Sequence, residues 1–292
     1  MNTDSHYEIG GSHHVCEDYA LSGVLSEDVA YALVADGCSA SPDTDIGARV
    51  ISHCVREYLE QDYLKSRCSP PFDKIISYAD VMCRKMMGLN LSCCDTTLLY
   101  AVYNKKSKSG HILMYGDGGA VIQYEGADGT KDLKYIRSEF TSGAPHYMTY
   151  TADKARDEAY KEAWGDKARI ITEVDFIEGQ EPDCCINKEV FHGQSDFSMF
   201  RYDISFARIE RLIKTISVFS DGMESYIRLN MDLDADSRSE KIPSEEMVSR
   251  VCSFKNFKGE FVKRRMKRVQ RDCVKEDITH FDDVSIATIH VK

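Results

Sequence analysis

The chain has few prolines, a single tryptophan, no Cys-x-x-Cys pair and no apolar run long enough to span a bilayer. With only six prolines in 292 residues, no low-complexity stretch and no internal repeat, nothing marks a linker, and one domain over 1–292 is expected. No run approaches the roughly 20 apolar residues of a membrane helix, so no membrane partner is expected. Positive charge is also short, with 37 Lys and Arg against 48 Asp and Glu and a net charge of −11. That balance argues against nucleic acid as a general partner and suits a protein that holds cations. Met1 to His6 has neither a basic region nor an apolar core, so no signal peptide is expected there. The cysteines number eleven, an odd count; without a secretion signal they read as reduced thiols of a cytoplasmic protein. The vicinal pairs Cys93-Cys94 and Cys184-Cys185 suit neither an internal disulfide nor a shared zinc, and most cysteines are read as small core residues.

What is present is a recurring design. Val29 to Ala35 is an unbroken apolar run, which reads as a strand buried on both faces, and it ends on Asp36-Gly37. A carboxylate there needs a partner or a metal, and Gly37 lets the backbone turn and leaves its carbonyl open to a ligand. Taken alone, Asp-Gly is a hairpin turn signal. However, His111 to Tyr115 likewise leads to Gly116-Asp117-Gly118, and Thr215 to Phe219 leads to Ser220-Asp221-Gly222. Glu17-Asp18 opens a strand over 19–25, and Asp282-Asp283 opens the last strand, through Val291. A hairpin of strands 19–25 and 29–35 could bring its two acidic ends together. Five acidic strand edges offer the oxygen donors that Mg²⁺ or Mn²⁺ requires. Two such ions sharing an oxygen can turn water into a hydroxide nucleophile and neutralise a phosphate.

Helices are expected from Asp43-Thr44-Asp45 onward, over Phe72 to Leu89, Ala152 to Trp164, Ser244 to Phe254 and Phe257 to Asp272. On the second of these, Ile75, Ile76, Ala79, Met82, Cys83 and Met86 are read as core. The basic run Lys263 to Arg268 is read as a solvated face, with Phe261, Met266 and Val269 turned inward. Further strands are expected at Ser5 to Ile9, Thr96 to Tyr103 and Arg169 to Phe176, while the pattern between Glu125 and Phe197 is weak.

Seven blocks together resemble the metal-dependent protein phosphatases of the 2C type, in a divergent bacterial branch. They are Glu17-Asp18-Tyr19-Ala20, Val34-Ala35-Asp36-Gly37, Asp45-Ile46-Gly47-Ala48-Arg49, Asp95-Thr96-Thr97-Leu98, Gly116-Asp117-Gly118, Phe219-Ser220-Asp221-Gly222 and Asp282-Asp283-Val284-Ser285-Ile286-Ala287. The resemblance implies an α+β fold, a four-layer α-β-β-α sandwich of two antiparallel sheets packed face to face with helices on both outer sides. It implies hydrolysis of phosphoserine or phosphothreonine at a site holding two Mn²⁺ or Mg²⁺ ions, with a weaker third. By motif, Asp36 would bridge the two ions, Asp221 and Asp282 would hold one, and Glu17 with the Gly37 carbonyl the other. Asp18 would orient waters, Asp117 would serve the third ion, and a bridging water would attack. The implied partners are a phosphorylated protein and a cognate Ser/Thr kinase.

Two positions depart from the family pattern. His13 stands where many members carry a phosphate-gripping arginine, and can donate to phosphate without the two-pronged contact. Cys38 stands where a histidine acid is often proposed, which would leave His13, His14 or a water to protonate the leaving group. The stretch between Asp221 and Asp282 also looks long, with an added element suggested at Asn230 to Lys241. These departures keep open a regulatory or binding module of the same fold with weak or no catalysis. A nuclease or nucleotide phosphohydrolase is disfavoured by net acidity and by the lack of a glycine-rich nucleotide cradle.

Overall fold

The structure is a computed structural model that describes residues 1–64, 71–126, 130–141, 143–164, 169–177, 187–192, 199–205, 212–229 and 239–291, with backbone alone at 62 and 187–192. The Cys184-Cys185 pair and most of the suggested 230–241 element lie outside these residues. Fifteen strands are described. The seven-stranded sheet is ordered β1 (Asn2–Glu8), β15 (Val284–His290), β11 (Leu212–Phe219), β6 (Gly118–Glu125), β7 (Lys131–Phe140), β8 (Arg169–Ile177) and β9 (Asn187–His192). The five-stranded sheet is ordered β10 (Phe200–Ile204), β5 (Ser109–Tyr115), β4 (Leu98–Asn104), β3 (Val29–Ala35) and β2 (Tyr19–Val24). A small third sheet joins β13 (Ser239–Lys241), β12 (Tyr226–Leu229) and β14 (Ile278–His280). Each described pairing is antiparallel.

Strand alternation builds the layers. In β3, Ala30, Ala32 and Val34 face the other sheet, where they meet Ala120, Ile122, Val218, Ala287 and Ile289. Its other face, Val29, Tyr31 and Leu33, packs with Tyr100 and Leu113 against Ile51 and Val55 of α1 (Thr44–Tyr58) and Ile75, Ile76 and Ala79 of α2 (Phe72–Asp80). On the far side, Val121, Tyr135, Phe219 and Ile286 pack against Met247 and Val251 of α5 (Ser244–Cys252) and Met266 and Val269 of α6 (Phe261–Lys275). Three apolar layers between helix, sheet, sheet and helix give the expected sandwich. The helix expected over 152–164 is α4 (Lys154–Trp164), and a short α3 (Met148–Ala152) precedes it. Among the described residues no helix is long and apolar enough to cross a membrane.

Two helical expectations are corrected. After Asp80 the chain winds as a π-helix over Val81–Met87. The wider turn rotates the expected stripe, so Cys83 stays buried while Met82 and Met86 are 38% and 69% exposed. The last helix starts at Phe261, not Phe257, because Gly259 takes a φ of +57° and Phe257 stacks instead on the His290 ring at 3.7 Å. Asp4 of β1 then accepts from the Val262 N–H at 2.6 Å, satisfying one of the free donors at the helix start.

Helix α1 is pressed against the short turn Leu91–Cys94. A Cβ on Gly47 would lie 1.7 Å from the Cys93 carbonyl oxygen, so only glycine fits. Gly47→Ala is expected to cost about 3 kcal/mol and to lower the thermal midpoint by roughly 6 °C or more. Differential scanning calorimetry of the variant checks this.

Candidate active site

The β2–β3 register sets the site. Tyr19 pairs with Ala35, which places Glu17-Asp18 beside Asp36-Gly37, and the Gly37 N–H donates to the Glu17 carbonyl at 3.2 Å. Beyond β3 the backbone stays tied to the residues before β4. The Asp36 N–H donates to Thr97 Oγ1 (3.2 Å), the Thr97 N–H to the Asp36 carbonyl (2.8 Å) and the Cys38 N–H to the Asp95 carbonyl (2.9 Å). Gly37 is required by the start of α1, since a Cβ there would meet Thr44 Cβ at 2.8 Å.

Around Asp36 the carboxylates converge. Asp18 is wholly buried and accepts from Ser220 Oγ at 2.6 Å, and that oxygen in turn accepts from the Ser285 N–H at 3.0 Å. Burial pushes the Asp18 carboxyl up to about 7, against the hydrogen bond from Ser220. The Asp36 carboxyl is raised well above the ordinary range, by burial first and then by the charges of Asp18, Asp221 and Asp117. Asp117, at the bend between β5 and β6, is raised by burial and by Asp221, and its Oδ1 is buried without a hydrogen-bond partner among the described residues. Asp282 is raised by burial and again by Asp221. Asp221 opens the turn Asp221–Glu224 after β11 and is the neighbour these four share. Among the described residues no lysine or arginine forms an ion pair with Asp18, Asp36, Asp117, Asp221 or Asp282. Arg169 and His13 offset only part of the charge, on Asp117 and Asp282, and oxygen donors crowded together in this way fit a hard divalent cation.

The rim is organised differently. Glu17 is held by Ser39 Oγ (2.6 Å) and Thr44 Oγ1 (3.0 Å). His13 lies between three carboxylates, with Nε2 3.3 Å from Asp282 Oδ1 and Nδ1 3.2 Å from Asp283 and 3.7 Å from Glu17. Asp283 is 2% exposed and accepts from the Gly10 N–H (2.7 Å) and the Glu17 N–H (2.6 Å). Of the acidic pair at 282–283, therefore, one side chain faces the cluster and the other ties loops together. An open depression of about 370 Å³ lined by His13, His14, Glu17 and Ser39 adjoins the cluster.

Sequence reasoning passed over several supports. Asp95, wholly buried, receives two hydrogen bonds from Arg156 of α4 (3.1 and 2.7 Å), one from Ser41 Oγ (2.7 Å) and one from Thr149. Arg169 of β8 is buried beneath the Asp117 bend and donates to the Gly116 carbonyl at 2.8 Å and to Ser138 Oγ at 3.0 Å. Glu224 pairs with Arg137, and burial pushes its carboxyl up to about 7. The Tyr147 phenol faces the Cys38 thiol near Asp36 and Asp117, and burial pushes its pKa up, which disfavours its ionised form. Asp95 lay inside a recognised block, but its partner stands 61 residues away with no local signal. Arg156→Ala leaves the buried Asp95 charge short of its strongest donor, and a loss of about 3 kcal/mol is expected in urea unfolding.

A string of aspartates at the edge of two packed antiparallel sheets is what the sequence comparison then identifies: the profile described as Protein phosphatase 2C matches residues 5–269. The chain belongs to the protein phosphatase 2C family. The matched span stops short of Asp282 and Asp283, which the β1–β15 pairing carries to the other carboxylates. No curated relative matches in sequence. Among solved structures, a bacterial serine phosphatase is similar, with 11% identity, a TM-score of 0.52, and 100% of this chain and 98% of that one covered. The PP2C phosphatase domain with a fragment of the regulatory domain of SpoIIE from Bacillus subtilis is similar at 11% identity and a TM-score of 0.50, covering 100% of this chain and 63% of that one. At such identities the likeness is one of fold.

Proposed function

We propose that this single-domain chain is a Mn²⁺- or Mg²⁺-dependent phosphatase acting on phosphoserine or phosphothreonine in a protein substrate, which a partner kinase would supply. The observation that carries this is the meeting of Asp18, Asp36, Asp117 and Asp282 around Asp221, where no lysine or arginine among the described residues forms an ion pair with them. Asp36, Asp221 and Asp282 would hold one ion. Asp36, Glu17 and the Gly37 carbonyl would hold a second, and Asp117 would contribute to a third. When bound, such ions neutralise phosphate charge and make water acidic enough to act as a nucleophile near neutral pH.

The chain's own groups do the rest. Asp18, fixed by Ser220, accepts hydrogen bonds from water beside Asp36 and so orients it. Ser39 and Thr44 hold Glu17 at the rim. His13, standing between Glu17 and Asp282, donates to a phosphate oxygen and holds a proton at Nε2 for the leaving serine or threonine oxygen.

The test is phosphate release from a phosphothreonine peptide with Mn²⁺, with and without EDTA. Turnover that EDTA abolishes is expected. Absence of release while calorimetry shows Mn²⁺ binding would assign the fold here to a regulatory module.

A further inference from the structure

Away from the carboxylates, three cysteines meet. Cys83 on the π-helical turn, and Cys93 and Cys94 of the Leu91–Cys94 turn, are each at most 1% exposed. Their sulfurs all lie within 4.8 Å of one another, with Cys83 and Cys94 at 3.5 Å and Cys93 and Cys94 at 3.8 Å. Apolar side chains, Ile51, Val55 and Leu98 among them, share the cluster, and the group contains no nitrogen or oxygen donor. An ion about 2.3 Å from three thiolates needs sulfur separations of about 3.8–4.0 Å, so small shifts would complete a three-coordinate centre.

Donor chemistry selects the ion. Hard cations take oxygen, and structural zinc almost always takes four ligands. Thiolates and thioethers favour Cu(I). A second observation points the same way: Met82, Met86 and Met87, on the turn that carries Cys83, are 38%, 69% and 42% exposed. Thioethers concentrated there give a soft ion its first contacts with the molecule. A disulfide needs a sulfur separation near 2.05 Å and would use two of the three thiols.

We propose that Cys83, Cys93 and Cys94 form a thiolate site for a soft metal ion, Cu(I) in preference to Zn(II), distinct from the carboxylate cluster. Binding changes no oxidation state; each ligating thiol releases its proton to solvent as its sulfur bonds the ion.

The experiment titrates the full chain anaerobically with Cu(I), held by a chromogenic Cu(I) chelator as competitor. The wild type is expected to withdraw one equivalent more than Cys83→Ser or Cys94→Ser, with matching near-ultraviolet sulfur-to-copper absorption. Cys252→Ser, in the opposite helical layer, is expected to keep the full stoichiometry. A readout free of variants uses alkylation in moderate urea mapped by mass spectrometry. One equivalent of Cu(I) is expected to protect Cys83, Cys93 and Cys94 but not Cys252. Equal stoichiometry in wild type and Cys83→Ser, with no protection, would reduce the cluster to core packing and overturn the proposal. So would tighter retention of Zn(II) than Cu(I), loss of binding only when the three methionines become leucine, or a Cys83–Cys94 disulfide forming in air without an ion.

Discussion

Asp36→Asn is expected to lower metal-dependent phosphate release at least 10³-fold while leaving the metal-free protein as stable as the wild type or more so. The first half follows from the place of Asp36 in both proposed ion sites. The second half follows from its surroundings. Burial, Asp18, Asp221 and Asp117 all oppose its ionised form, so a neutral amide, which can still donate to Asp18 as the protonated acid does, relieves that cost. The same shifts fix the pH dependence. An unfolded aspartate loses its proton near pH 4, whereas folded Asp18 does so only at about 7 and Asp36 also well above its usual range. Between those values the folded state holds protons that the unfolded state has lost, so stability falls as pH rises. The metal-free thermal midpoint should therefore drop between pH 5 and pH 8, less steeply in Asp36→Asn, and Mn²⁺ should reverse the drop in the wild type alone. A metal-free midpoint more than about 5 °C below the wild type would sink this reading, since at this chain length it represents over 1 kcal/mol of lost structure.

Neighbouring aspartates are expected to fail in opposite ways. Asp283→Ala strands the Gly10 and Glu17 N–H donors and one side of His13, at a cost of about 3 kcal/mol or more. Asp282→Asn removes a half-exposed carboxyl that burial and Asp221 already disfavour, so it should melt no lower than wild type. Its phosphate release should nonetheless fall by 10²-fold or more. Melting curves and phosphate release on the two variants check the contrast. If both melt alike, the division between an ion-facing and a loop-tying carboxylate is wrong.

The difference between these two residues also shows where sequence stops being legible. Asp282-Asp283 reads as an acidic pair opening a strand; which one turns inward depends on a strand pleat and on the Gly10 loop from the far end of the chain. Asp36, Asp117 and Asp221 were legible because each ends an apolar run at a glycine, a local pattern. Arg156 and Arg169 carry no such pattern, and their importance comes from a buried carboxylate and a carbonyl contributed by loops distant in the sequence. The π-helical turn after Asp80 was hidden because its residues satisfy ordinary helical spacing until the turn widens. The start of α6 was misplaced because Phe257 is as apolar as Phe261, and only the ring of His290 and the carboxylate of Asp4 separate their fates.

The hydrogen bond from the Glu17 N–H to Asp283 joins residues 266 positions apart. On a ribosome, that distance becomes time. Glu17, Asp18 and Asp36 leave the exit tunnel first, and β15 follows only after the roughly 13–53 s that the intervening 266 residues take at about 5–20 residues per second. Until then the nascent chain has no Asp282 or Asp283 to complete the cluster, and β1 waits with its β15-facing edge unpaired. A partly made chain therefore lacks part of the carboxylate cluster, and it depends for that interval on whatever keeps an open strand edge from finding the wrong partner.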